Sequence, residues 1–289
     1  FAGCVVFFAV FFTLLNLRGI EASTRTNAFI AACLGVVIVL FLAAAARYLW
    51  LQPPAGAAAW TRPFYDPATF SLGAVSTGAS LAVLTYIGFD GISTLAEETH
   101  DPRRNILRAT ILVCVVTGLL ASLQVYTAQL VWPASTFPDV DTAFVHVAGQ
   151  AGGPWLFHTI NFALLVATVG SGTGAMLGAA RLLYGMGRTH ALPPGFFAAV
   201  HPRTHVPYRN VLLLGACTLV GALTVSFSLG AELLNFGALI AFMGVNAACF
   251  ARFFLRAERK SLGNFLPPVL GFSVCFYLWL SLGTTAKLV

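Results

Sequence analysis

Residues 86–105 read YIGFDGISTLAEETHDPRRN, and residues 69–85 before them, TFSLGAVSTGASLAVLT, are apolar enough for a membrane. A helix that starts this way runs into two glycines around an aspartate, Gly88, Asp90 and Gly91. Glycine in a helix interior costs ~1 kcal/mol relative to alanine, and a charge at the centre of a span costs at least ~2.5 kcal/mol on insertion scales. Irregular backbone at membrane depth is tolerated where it lines a cavity or is buried in protein. The stretch therefore predicts a discontinuous helix. An outer half runs to Thr85, an unwound linker follows, and a short inner half covers Gly91 to Glu98. Tyr86, Ile87, Gly88, Phe89, Asp90 and Gly91 are the candidate substrate-binding residues. The outer half points its carbonyl ends at the linker, and the carbonyls of Tyr86 and Ile87 are placed to meet a cation. A plainer reading has Asp90 capping the inner half, with Gly88 and Gly91 serving close helix packing; the two roles can coexist.

The end of the stretch reads locally. Thr94 and Glu97 have capping-box spacing. Asp101-Pro102 reads as a helix cap followed by proline at the first position. Glu97 and Glu98 face Arg103 and Arg104 across a short connection. That set is either a solvated interface network or a cytoplasmic gate.

Composition sets the class. Of 289 residues, 58% are hydrophobic and 9% charged, with a mean hydropathy of +0.84; soluble domains carry roughly 25% charged residues. Eight apolar segments follow one another, at about 1–16, 26–50, 69–97, 107–132, 154–186, 208–227, 229–253 and 265–284. Most exceed the ~20 residues that cross ~30 Å of hydrocarbon. The first segment has no basic region before it and is read as a truncated span, not a leader. The side reached after it collects thirteen of the sixteen basic residues, among them Arg18, Arg103, Arg104, Arg188 and Arg256; the other side holds Arg47, Arg62 and Lys287. The positive-inside rule makes the basic side cytoplasmic. The net charge of +6 is thus a matter of topology, and nucleic-acid binding gains no support from it. The six cysteines stand singly in apolar runs and the six histidines form no HxxxH or HExxH pattern, so no metal or other cofactor is expected.

Four stretches carry a family resemblance: YIGFDGISTLAEETHDPRRNILRAT (86–110), NLRGIEASTRTNA (16–28), AARLLYGMGRTHALPPGFFAAVHPRTHVPYRNV (179–211) and LLNFGALIAFMGVNAACF (233–250). Together they resemble the amino acid–polyamine–organocation permeases, and within that superfamily bacterial putrescine-importer-type and amino-acid permeases. The resemblance implies an all-α integral membrane protein with the leucine-transporter-type inverted-repeat fold, here partial, with helix 6 discontinuous. On its register the eight segments are helices 4 to 11 of one transmembrane domain. Residues 1–50 end the first repeat with helices 4 and 5, residues 69–253 form the second repeat with helices 6 to 10, and residues 265–289 are helix 11. Helices 1 to 3, which carry the family's other substrate-binding break, are absent from the register. Leu34 stands where many members place a lysine, which withdraws support from a lysine-based proton mechanism.

Other polar positions are fewer. Ser171 and Thr173 lie in VGSGTGAMLGAA (169–180), whose Gly170, Gly172, Gly174 and Gly178 allow close backbone approach. Ser171 is a candidate for the substrate site, as is Asn235. Asn235 and Asn246 are about three helical turns apart and share a face, where interhelical hydrogen bonding is the plain expectation. A secondary transporter of amino acids or polyamines is the function expected, working by alternating access across a plasma membrane, a bacterial inner membrane on the resemblance. H+ or Na+ coupling, or exchange, would drive it, because no GxxxxGK[ST] loop is present for ATP. A transport-inactive receptor or a channel-like protein is the alternative. An enzyme would need a paired nucleophile and base, and none is visible. The topology makes a direct prediction. Membrane-impermeant thiol reagents applied to intact cells will miss cysteines placed at His100 and Thr204 and will reach the 133–152 connection; labelling at the first two reverses the assignment.

Overall fold

The computed structural model describes residues 2–18, 24–95, 99–134, 136–137, 139–140, 142–202, 206–257 and 260–283, with the backbone alone at 24–28 and 94–95. Among these residues there is no strand. The helices are α1 (Ala2–Leu17), α2 (Thr24–Leu51), α3 (Ala58–Thr61), α4 (Leu72–Ala82), α5 (Pro102–Val131), α6 (Ala143–Arg188), α7 (Pro194–Phe197), α8 (Tyr208–Thr224), α9 (Phe227–Phe250) and α10 (Leu262–Leu280). Two 3-10 segments, Val83–Thr85 and Phe89–Leu95, lie between α4 and α5, and a π-helical turn, Ala251–Leu255, extends α9. Six described helices are long and apolar enough to cross a membrane, and the shorter apolar α1 and α8 complete the eight segments read from the sequence. The outer surfaces are rich in exposed Leu, Val and Phe, such as Phe29, Val39, Leu119 and Phe162, which suits contact with lipid.

Serine starts three of the spans. The Ser71 hydroxyl accepts from the Ala74 amide at 3.0 Å, Ser226 from Leu229 at 3.3 Å, and Ser261 from Gly263 at 3.2 Å. Each satisfies an amide that the first helical turn leaves without a partner. Pro102 opens α5 as expected, with its missing N–H at a position that makes no helical bond. Asp101 stands at the cap position: its backbone carbonyl accepts from Arg104 at 3.2 Å and Asn105 at 3.0 Å, the first bonds of the helix, with a φ of +47°.

The chain divides into two units, with the boundary inside α5 between Gly118 and Leu119. The first holds residues 1–64 and 119–224. Its core joins Phe41, Ala45 and Leu49 of α2, Val131 of α5, and Val145, Ala148, Leu156 and Ile160 of α6. Phe41 and Phe144 pack at 4.8 Å between ring centroids. Gln150 donates to the Tyr48 hydroxyl at 3.0 Å and to the Val131 carbonyl at 3.2 Å, so the polar residue in this core is satisfied. Within α6, Gly153 takes φ +78° and Pro154 restarts the helix. This kink separates the first turns of α6 from the long span that follows.

Asn210 of α8, fully buried, donates to the Ala180 carbonyl at 3.3 Å and to the Phe197 carbonyl at 2.9 Å. It thereby pins α6, α7 and α8 together. Of the glycines on the middle of α6, only Gly172 receives a close neighbour, the Phe12 ring, 3.1 Å from where a Cβ would sit; Gly170, Gly174 and Gly178 face open space. The expected tight packing there is confined to one position.

The second unit holds residues 65–118 and 225–289. α9 and α10 pack along their length through Phe236 against Trp279 and Phe254 against Phe265, with centroids at 5.6 and 5.0 Å. α4 joins them through the Ser76 and Tyr277 hydroxyls, which are hydrogen-bonded.

Gly187 gives a clean test of packing in the first unit. A Cβ there would lie 2.7 Å from the Ala198 amide nitrogen and 2.8 Å from the Phe197 carbonyl carbon, whereas Gly185 has nothing within 4 Å. Backbone cannot swing aside as a side chain does. Gly187→Ala will lower the thermal midpoint of the purified protein, and Gly185→Ala will leave it unchanged or raise it, since alanine gains up to ~1 kcal/mol in helix propensity. Equal midpoints for the two variants would contradict the close approach.

Candidate functional site

The interruption after α4 is built from tight turns. The α-helix ends at Ala82, three residues before the expected end of the outer half, and Val83–Thr85 continue as 3-10 helix. The Tyr86 amide bonds the Val83 carbonyl at 2.9 Å, Phe89 bonds Tyr86 at 3.2 Å, and Gly91 bonds Gly88 at 3.1 Å. Gly88 carries φ +113°, which a residue with a Cβ rarely adopts. The inner half is also different from the α-helix expected over Gly91–Glu98. It is 3-10 helix, it begins at Phe89, and it is described as far as Leu95. The bonds across the glycines run three residues back in place of four, and the Tyr86 carbonyl expected to meet a cation already accepts from Phe89.

Asp90 does not cap this inner half. Its Oδ1 accepts from the Gly88 amide at 3.2 Å, which lies before it in the chain, and its backbone carbonyl accepts from the Ser93 hydroxyl at 2.6 Å. The carboxylate thus braces the turn while the side chain stays exposed. Phe89 turns toward α9, where it meets Phe242 at 5.3 Å between centroids.

A half-open cavity of about 290 Å³ borders the break. Thr85, Tyr86, Ile87, Gly88, Phe89 and Ile92 form one wall; Val113, Cys114 and Thr117 of α5 form the other. Its size sits at the lower end of small-molecule sites, ~300–1,000 Å³. Four of the six break residues named from the sequence line it; Asp90 and Gly91 do not. The α5 wall was missed. Its residues recur at helical spacing on one face, but α5 is apolar on all sides, so nothing in the sequence singles that face out. Tyr86 spans the two walls: its hydroxyl lies against Gly118 of α5, with Cζ 3.3 Å from the position a Cβ would take.

The remaining candidates separate. Asn235 is fully buried and donates to the Leu81 carbonyl at 3.5 Å, in the last α-helical turn before the break. Asn246, on the same face of α9 by count, bonds its own helix at Phe242 (2.8 Å) and packs on Gly271 of α10. Ser171 belongs to the other unit and is exposed, and Thr173 bonds back to the Val169 carbonyl at 2.8 Å within α6. Arg103 and Arg104 are exposed in the first turn of α5; Glu97 and Glu98 lie outside the described residues. A second cavity, of about 350 Å³, is lined by Phe8, Phe12, Leu165 and Val169 in the first unit. Its walls are almost wholly apolar and gather no converging polar groups.

An interrupted membrane-spanning helix with a small cavity at its break defines a permease-type membrane protein. The chain belongs to the amino acid permease family, whose model matches residues 2–288. It is 34% identical to the low-affinity putrescine importer PlaP of Escherichia coli over 96% of this chain and 62% of that protein. It is 30% identical to the branched-chain amino acid permease BcaP of Bacillus subtilis over 94% of this chain and 57% of that one. A vacuolar cationic amino acid transporter 4 of Arabidopsis thaliana is 27% identical over 85% and 40%. The chain therefore spans about three fifths of the length of the bacterial relatives. Family and spans together make it a multi-pass protein of the plasma membrane with a partial leucine-transporter-type fold.

The contact of Tyr86 with Gly118 generates a prediction. In the full-length protein, Gly118→Ala will push the Tyr86 ring from its place in the cavity wall. If the cavity takes a transported substrate, its KM will rise several-fold, while the thermal midpoint will hold, because the displaced atoms are the free end of one side chain. Removing the hydroxyl with Tyr86→Phe in the same chain will restore most of the loss. Additive effects of the two substitutions would show that the residues do not touch.

Proposed function

We propose that this chain supplies the ammonium-binding half of a secondary transporter for amino acids or polyamines. Substrate enters at the break between α4 and the 3-10 segment at Phe89–Leu95. The observation that carries this reading is the break itself. It interrupts a membrane-spanning helix beside a cavity of about 290 Å³ lined by Tyr86, Ile87, Gly88 and Phe89, with the Asp90 carboxylate bracing the same turn. Partial negative charge at the C-terminal end of a half-helix favours a cation. The relatives named above, a putrescine importer, a cationic amino acid transporter and a branched-chain amino acid permease, all have substrates with an amine.

On the family register the eight segments are helices 4 to 11, with the second repeat at residues 69–253. A substrate carboxylate, where present, would be held by elements outside this chain. The aliphatic part of the substrate would lie against Ile87, Phe89, Ile92 and Val113. Transport is by alternating access, driven by an H+ or Na+ gradient or by exchange. Glu97 and Glu98 with Arg103 and Arg104 form the inner gate of this scheme.

Asp90 divides the substrate classes. Asparagine keeps the oxygen that accepts from Gly88, so Asp90→Asn removes the charge and leaves the turn. In proteoliposomes holding the full-length protein, Asp90→Asn will weaken putrescine uptake by about tenfold to a hundredfold, ~1.5–3 kcal/mol for a charged hydrogen bond. Neutral amino-acid uptake will change less. Unaltered putrescine uptake would reduce Asp90 to a brace for the turn and favour a neutral amino acid as substrate. A wild-type protein that carries neither class would overturn the transport reading.

A further inference from the structure

A second acidic side chain sits inside a span. Glu232 lies on α9, partly buried, and its Oε2 is closed off with no hydrogen-bond partner. Both carboxylate oxygens press on the chain just past α10: a Cβ on Gly283 would lie 3.1 Å from Oε1 and 3.3 Å from Oε2. One turn further along α9, on the same face, is Asn235. It is 0% exposed, and its Oδ1 also lacks a partner while its Nδ2 is engaged by the Leu81 carbonyl. Side chains three apart on a helix have Cβ atoms ~5–6 Å apart. Two acceptor oxygens one turn apart on α9 are thus without donors. A buried acceptor left so costs ~1–3 kcal/mol, and a carboxylate more.

Among the described residues no neighbour supplies the missing positive charge. On the elements packed against α9 the titratable groups are Cys275 and Tyr277 on α10, Arg252 on the π-helical turn, and Asp90 on the segment whose Phe89 meets Phe242; α4 and Val83–Thr85 carry none. The Tyr277 hydroxyl is held by Ser76, and Arg252 lies over the Phe253 ring, some ~30 Å along the helix from Glu232. The seam between α4, α9 and α10 also carries polar groups amid its aromatic contacts: Ser76 of α4 is bonded to Tyr277 of α10, and Asn235 of α9 to the Leu81 carbonyl of α4. A lipid-facing or purely packing seam has no use for that series.

We propose that Glu232 and Asn235 form a binding site for a monovalent cation, either Na+ or a primary ammonium, on the flank of the helix break. The unpartnered atoms of Glu232 and Asn235 are both acceptors, which suits a cation. The Leu81 carbonyl, reached through Asn235, links the site to the last turn before the break. Cation occupancy therefore bears on the geometry of that turn. The proposal deepens the transport reading, yet its test reads binding alone.

The test is thermal stability of the purified full-length protein, titrated with NaCl against choline chloride, and separately with methylamine and putrescine. One of these cations will raise the midpoint of the wild type. Glu232→Gln and Asn235→Ala will each weaken that response at least tenfold, and Asp90→Asn will leave the Na+ response in place. A response to Na+ alone assigns the site to the inorganic ion; a response to methylamine and putrescine assigns it to a substrate ammonium. Glu232→Asp, which keeps the charge but draws it back by one methylene, will give an intermediate response and serves if Glu232→Gln does not fold. No cation response in the wild type, or an undiminished one in all the Glu232 and Asn235 variants, overturns the proposal. So does a Lys287→Ala protein that loses stability as Glu232→Gln does and gains no cation response, since Glu232 would then be serving a partner within the chain. Wild-type uptake without a Glu232-dependent cation effect refutes this site alone; a cation effect without uptake of any amine refutes the transport reading alone.

Discussion

Every backbone amide and carbonyl in a membrane needs a partner, and the break after α4 is where this chain comes nearest to violating that rule. The hydrocarbon supplies no hydrogen bonds, so an interrupted helix survives only if other groups replace the lost ladder. Here the replacement is local. Tyr86, Phe89 and Gly91 donate three residues back, Asp90 accepts from Gly88, and Ser93 donates to Asp90. Gly88 makes the geometry possible by adopting a positive φ. What the turn cannot settle for itself is taken up by α9, through the Asn235 amide on Leu81 and the Phe242 ring on Phe89. The cavity exists because these substitutes hold the chain open instead of letting it collapse into a continuous helix.

The same economy of polar groups governs the first unit. Asn210, with no exposed surface, serves two carbonyls and so locates the short α7 between α6 and α8. Gln150 serves Tyr48 and Val131 in the main core. Association of helices in lipid draws little from the hydrophobic effect, so packing and such bonds carry the specificity. Gly187 under Phe197 and Ala198, and Gly172 under Phe12, mark the two places where α6 lets a neighbour come unusually close.

Carboxylates within the second unit differ in their means of support. Asp90 is exposed and has a bonded oxygen; Glu232 is partly buried and has one that is not. The first braces a turn. The second has an oxygen without a donor, as has Asn235 one turn further along α9.

Much of this was legible from residues alone, and for one physical reason: the decisive costs were local. Charge and glycine are expensive inside a span, so Gly88, Asp90 and Gly91 marked the break. Apolar length identified the eight segments. Asp90's direction was not legible, because a carboxylate can accept from an amide on either side of it, and the turn chose the one before. Nor was the second wall of the cavity, since Val113, Cys114 and Thr117 stand on a helix that is apolar all round and carries no marked face. Asn235 and Asn246 looked equivalent by spacing; packing against α4 drew one across to Leu81 and left the other bonded to its own helix. Glu232 reads in sequence as a charge near the start of a helix. Only the approach of Gly283 and the burial of Asn235 beside it showed that the carboxylate is enclosed, because burial is a property of neighbours far along the chain and not of the residue itself.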